Sequence, residues 1–97
     1  MVYVLNNKLH DYSKAKRFGD LKIVTEDNVP LFRTDAVLDI LKKRLESFTE
    51  EDYLLLSGPV LLNVFATNLL LGRMETLKLV VFDAKQQDYV IRHISRG

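Results

Sequence analysis

Apolar positions along the chain switch between a period of two and a period near 3.6, and the switches mark the elements. Tyr3-Val4-Leu5 is a run of strand formers that stops at Asn6-Asn7, which predicts a short first strand. Asp11 then precedes Tyr12 to Phe18, and Gly19 follows. Asp11 suits an N-cap, Lys16 and Arg17 suit the negative end of the helix dipole, and Gly19 suits a left-handed position after the last turn, so a short helix is expected. Leu21-Lys22-Ile23-Val24-Thr25 predicts a second strand, and Glu26 to Pro30 a turn. From Thr34, expected as a cap, Val37, Leu38, Leu41, Leu45 and Phe48 recur at the helical period. Lys42, Lys43, Arg44 and Glu46 fill the other face, and Thr49-Glu50-Glu51-Asp52 closes the helix in an acidic loop.

Tyr53-Leu54-Leu55-Leu56 is continuously apolar, the pattern of a strand covered on both faces as in a parallel sheet. It runs into Ser57-Gly58-Pro59, with Pro59 suited to the first position of a helix. That helix reaches about Leu71, ends at Gly72, and is apolar nearly all round, which places it deep in a core or at a subunit interface. Thr76 to Phe82 and Tyr89 to Ile94, joined by Ala84-Lys85-Gln86-Gln87, predict a closing hairpin. The order β-α-β-α-β-α-β-β predicts an α/β fold. It would be a single small Rossmann-like three-layer domain over residues 1–97, mainly parallel with a C-terminal antiparallel hairpin.

Composition narrows the function classes. The chain has 97 residues, 47% hydrophobic and 28% charged, values typical of a globular domain. Fourteen basic and 13 acidic residues leave a net charge of +1, so DNA or RNA binding is not expected. Lys14, Lys16 and Arg17, with Lys8 and Lys22 nearby, form the one basic cluster, either a solvated helix face or a phosphate-facing patch. Without cysteine there are no disulfides or thiolate sites. Neither a signal peptide nor a membrane span is evident, so a cytoplasmic protein is expected, in a bacterial, archaeal or phage-infected cell. Small size and the apolar helix point to a homodimer.

Open parallel sheets bind ligands beyond the carboxyl ends of their strands. Two such ends carry suitable residues: Asn6, Asn7, Lys8 and His10 after the first strand, and Ser57, Gly58 and Pro59 after the third. The second opens a helix, whose unpaired N–H groups and positive dipole end suit an anion, and Gly58 permits close approach. The same turn is equally explained as structure, with glycine for the bend, serine as cap and proline to start the helix. Asn63 and Thr67 share a helix face and serve either as loop-holding bonds or as ligand contacts. His10 beside Asp11 could act as an oriented acid/base, or simply belong to a loop. His93 and Arg92 alternate on opposite faces of a strand and do not form one site. No nucleophile–base pair, metal-ligand spacing or cofactor fingerprint occurs, so no catalytic residue, metal or cofactor is expected.

The strand ending in Leu5-Asn6-Asn7 before a short helix, Asp52 to Gly58 running into an apolar helix, and Leu77 to Phe82 together resemble the small stand-alone CARF-like proteins of type III CRISPR systems, ring nucleases among them. They are also similar to small uncharacterised phage α/β proteins. The first resemblance implies a Rossmann-like homodimer that binds a cyclic oligonucleotide across its two-fold axis, in antiviral defence or against it. The matching positions are Asn6 and Asn7 after the first strand and Ser57, Gly58 and Pro59 after the third, with Lys8, His10 or Lys14 approaching phosphate. No lysine or arginine adjoins Ser57-Gly58, which favours sensing or sequestration over slow phosphodiester cleavage. The remaining alternative is a phage or bacterial structural or interaction protein without a ligand.

Overall fold

A computed structural model describes residues 1–7, 11–26 and 28–97. Five strands, β1 (Val2–Asn6), β2 (Leu21–Thr25), β3 (Tyr53–Leu55), β4 (Thr76–Asp83) and β5 (Asp88–Ser95), form one sheet in the order β2-β1-β3-β4-β5. The first four are parallel, and β5 returns antiparallel to β4. A 3-10 helix (Ser13–Phe18) joins β1 to β2, α1 (Thr34–Arg44) joins β2 to β3, and α2 (Val60–Leu71) joins β3 to β4. This is the Rossmann-like α/β arrangement with a C-terminal hairpin that the periodicity predicts.

Alternation along the strands divides the core between two layers. Tyr3, Leu5, Leu54, Leu77 and Leu79 face α1 and α2, packing on Val37, Leu41, Leu62, Ala66 and Leu70. Val2, Val4, Leu55 and Val80 face the other way, onto Tyr12 and Ala15. Being covered on both faces is why β1 and β3 read as unbroken apolar runs.

Helix ends differ from the sequence reading. The 3-10 helix begins at Ser13 after Tyr12, and Asp11 stands one place further out, its Oδ1 accepting the Ser13 N–H at 2.9 Å. Gly19 has a positive φ of 144° but a ψ of 175°, an extended form open to glycine rather than a left-handed helical cap. Thr34 is the first residue of α1, not its cap, and α1 ends at Arg44, so Leu45 and Phe48 are buried from the turns beyond it. Pro59 is the cap of α2, with ψ 139°, and Val60 begins the helix. α2 is not buried all round. Leu62, Ala66 and Leu70 pack on the sheet, whereas Val60, Leu61 and Val64 are 80%, 44% and 55% exposed. Among the described residues no helix is long and apolar enough to cross a membrane.

Candidate functional site

β1 and β3 are neighbours, and their onward connections leave in opposite directions, toward β2 and toward β4. Sheets wound this way open a crevice at the carboxyl ends of the two central strands. Asn6 and Ser57-Gly58 meet there. Ser57 Oγ accepts the Asn6 N–H at 2.9 Å, tying the two strand ends together. Gly58 has φ +77°, and a Cβ on it would lie 2.5 Å from Asn6 Cβ and 2.8 Å from Cγ, so only glycine fits. The Asn6 side chain, 1% exposed, donates through Nδ2 to Thr25 Oγ1 at 2.9 Å, and that hydroxyl donates to Leu5 O at 2.7 Å. The Tyr12 hydroxyl donates to Asn6 O at 3.0 Å. Three connections are thus pinned to one buried asparagine.

Asn63, one turn into α2, reaches back over the same bend. Its Oδ1 accepts the Ser57 N–H at 3.0 Å, and its Nδ2 donates to Ser57 O at 3.0 Å and Pro59 O at 2.7 Å. Of the two sequence readings, loop holding is the role this geometry displays. It also occupies one backbone donor that an anion at the turn would need. Asn7 is exposed, with its N–H donating to Thr25 O at 2.9 Å. Lys8, His10 and Asp27 lie outside the described residues.

On the side of the crevice facing the 3-10 helix is a pocket of about 300 Å³, lined by Asp11, Tyr12, Leu56, Ser57, Gly58, Phe82 and Tyr89. Phe82 and Tyr89 are cross-strand partners, their rings meeting edge to face at 5.4 Å. Tyr89 is 6% exposed, yet no described group hydrogen-bonds its hydroxyl. Its ring is covered while its hydroxyl is left open to the pocket. Burial, with Tyr12 and Asp11 nearby, pushes the Tyr89 phenol above its ordinary value, so it stays a donor near neutrality. Asp11 is the only charged residue of the lining among the described residues. Hydrogen bonds from Ser13, with Lys16 and Lys14 beyond, hold its carboxyl below the ordinary carboxylate value, so it is an anion.

The basic cluster goes elsewhere. Lys14 Nζ donates to Gln87 O at 2.9 Å, and Arg17 binds the Asp88 carboxylate and Tyr89 O while lying over the Phe18 ring. Lys14 and Arg17 clamp the 3-10 helix to the hairpin, leaving Lys16 as the solvated member. His93 faces Lys78 across the ladder, toward the end of the hairpin away from Phe82. Among the described residues no group of three or more His, Asp or Glu could hold a metal.

A second feature lies on the opposite layer. The outward stripe of α2 borders a shallow groove of about 410 Å³ lined by Leu56, Val60, Val64, Leu71 and Leu79, with Asn63, Thr67 and Asn68. Sequence reasoning missed Thr25, Phe82 and Tyr89 as site residues. The signal for the last two was the hairpin itself: pairing outward from the turn sets Phe82 beside Tyr89 at the carboxyl end of β4.

A family model described as phage Pam3 gp32-like protein matches residues 2–95. No curated protein and no solved structure matches the chain.

Proposed function

The chain belongs to the phage Pam3 gp32-like protein family, and on that footing we propose that it is a phage protein that acts by binding a small molecule in the crevice pocket, without transforming it. The observation carrying this reading is Tyr89, a buried residue whose hydroxyl finds no partner among the described residues and lines a pocket at the carboxyl ends of the parallel strands. The site is rigid before any ligand arrives, because Asn6, Ser57, Gly58 and Asn63 fix each other. Preorganisation of this kind favours affinity. In its finer form the ligand is a nucleotide or cyclic oligonucleotide, as the CARF-like resemblance implies, and the protein senses or sequesters it as a homodimer. What supports binding over ring-nuclease chemistry is the lining: among the described residues its one charged side chain is Asp11, an anion that would repel a phosphate held there.

A thermal-shift screen of the full chain against mononucleotides, cyclic oligonucleotides and a fragment library tests the reading. A ligand at 100 times its dissociation constant should stabilise the fold by about 2.7 kcal/mol, and Tyr89→Phe should shrink that shift. No stabilisation by any compound, or equal stabilisation of the variant, would overturn it.

One observation favours a second reading, an interaction protein. Val60, Leu61 and Val64 leave one face of α2 apolar and open beside the groove. Contiguous apolar surface of this sort marks contact sites on soluble proteins.

A further inference from the structure

We propose that the crevice pocket takes a neutral heteroaromatic ring carrying an N–H donor beside an acceptor, the chemistry of a nucleobase, and that it excludes phosphate. This rests on the binding reading above and deepens it.

The polar groups of the pocket are of opposite kinds on its different walls. Tyr89 is a buried residue whose hydroxyl hydrogen finds no acceptor among the described residues and is left to the pocket. Ser57 Oγ already accepts from Asn6 N–H, which leaves its own hydrogen to donate inward. Asp11 can only accept, and its bonds from Ser13 leave some of a carboxylate's roughly four acceptor sites open. A ligand completing this set presents an acceptor to Tyr89 and Ser57 and a donor to Asp11. Phosphate would answer the hydroxyls but meet the Asp11 charge, with no lysine or arginine in the described lining to pair with it. A simple cation would pair with Asp11 but leave the Tyr89 hydrogen unanswered.

The walls specify a flat, apolar body. Tyr12, Phe82 and Tyr89 supply rings, and Phe82, although paired edge-on with Tyr89, is still 48% exposed. Gly58 adds a wall without a side chain. The volume, about 300 Å³, stands at the small end of the roughly 300–1,000 Å³ typical of ligand pockets. A planar ring fills such a slot and covers the Phe82 face, whereas a sugar or phosphate would leave it wet. Any sugar or phosphate attached to the ring therefore lies outside, toward solvent.

Two-dimensional amide NMR of the full chain, titrated separately with adenosine, cytidine, guanosine, uridine, ribose 5-phosphate and inorganic phosphate, tests this directly. At least one nucleoside should saturably shift the Gly58, Phe82 and Tyr89 amides, while phosphate and ribose 5-phosphate leave them in place. Tyr89→Phe keeps the ring and Asp11→Asn keeps the bond to Ser13, so both should fold. They should weaken the nucleoside by about fivefold and about tenfold respectively. If phosphate alone shifts those amides, or the nucleosides bind both variants as tightly as wild type, the ring assignment falls while the pocket remains a binding site. If no nucleoside moves them, the ring assignment falls too, and a fragment library run on the same amides then decides the binding reading: a hit preserves it, and silence overturns both.

Discussion

Replacing Gly58 with alanine probes the joint on which the crevice depends. Two costs combine. The backbone is left-handed there, φ +77°, and a residue with a Cβ pays about 1–2 kcal/mol for that conformation. The new methyl would also stand 2.5 Å from Asn6 Cβ, so Asn6 must move. Moving it strains the bonds to Ser57 Oγ and Thr25 Oγ1, each contributing about 1 kcal/mol. The expected loss is about 3–4 kcal/mol, a large part of the roughly 5–15 kcal/mol that holds a domain of this size together. Equilibrium urea denaturation should show a lower midpoint at unchanged slope. Gly72→Ala is the control: Gly72 sits in ordinary helical geometry at φ −71°, and its added Cβ would meet nothing nearer than Leu69 O at 3.3 Å, so the change should stay within about 1 kcal/mol. In an Asn6→Gly background the steric part disappears, and Gly58→Ala should cost only the backbone part, about 1–2 kcal/mol. A loss below about 1 kcal/mol in the wild-type background, or the same loss with and without the Asn6 side chain, would refute the reasoning.

Other consequences follow from the same geometry. Asn63→Ala should cost about 1–3 kcal/mol in the same assay. Asn63→Asp should cost more, because a carboxylate cannot donate to the Ser57 and Pro59 carbonyls it would face; an aspartate variant as stable as wild type contradicts the latch. The hydrogen bond from Arg17 and that from the Tyr89 N–H hold the Asp88 carboxyl below the ordinary carboxylate value. With the folded value depressed, the clamp's stabilisation is present above the unfolded value, about pH 4, and is lost as pH falls through the folded one. Carboxyl NMR titration should show Asp88 moving back up in Arg17→Gln, and no movement would refute the clamp. If α2 is a self-association face, light scattering should give twice the 11.2 kDa chain mass for wild type and a monomer for Val60→Glu/Val64→Glu with unchanged circular dichroism. A monomeric wild type would remove the homodimer.

Much of the fold was legible because burial writes itself into period. Tyr53 to Leu56 carries no polar residue, and the strand there is covered on both faces. Val37, Leu38, Leu41 and Leu45 likewise marked one face of α1 and its exit. Helix caps were legible only to within a residue. Whether Thr34 or Pro59 stands in or before its helix depends on a single ψ angle, which composition does not encode. The convergence of Asn6 with Ser57 needed the sheet order, a long-range property that no local pattern fixes. The far wall of the pocket was hidden for the same reason. Tyr89 and Phe82 look like ordinary strand formers until the hairpin register and β3–β4 pairing bring them to the mouth of the crevice. For α2 the sequence left two places open, the core or a subunit interface, because apolar residues on an exposed stripe look the same in sequence as core residues.

The most direct test of the binding claim is a crystal structure of the full chain soaked or grown with the tightest ligand of the thermal-shift screen. The ligand should lie against Phe82 with one of its acceptors within hydrogen-bond distance of the Tyr89 hydroxyl, and that placement would vanish in Tyr89→Phe. A ligand seated elsewhere, with only water beside Tyr89, would contradict the account.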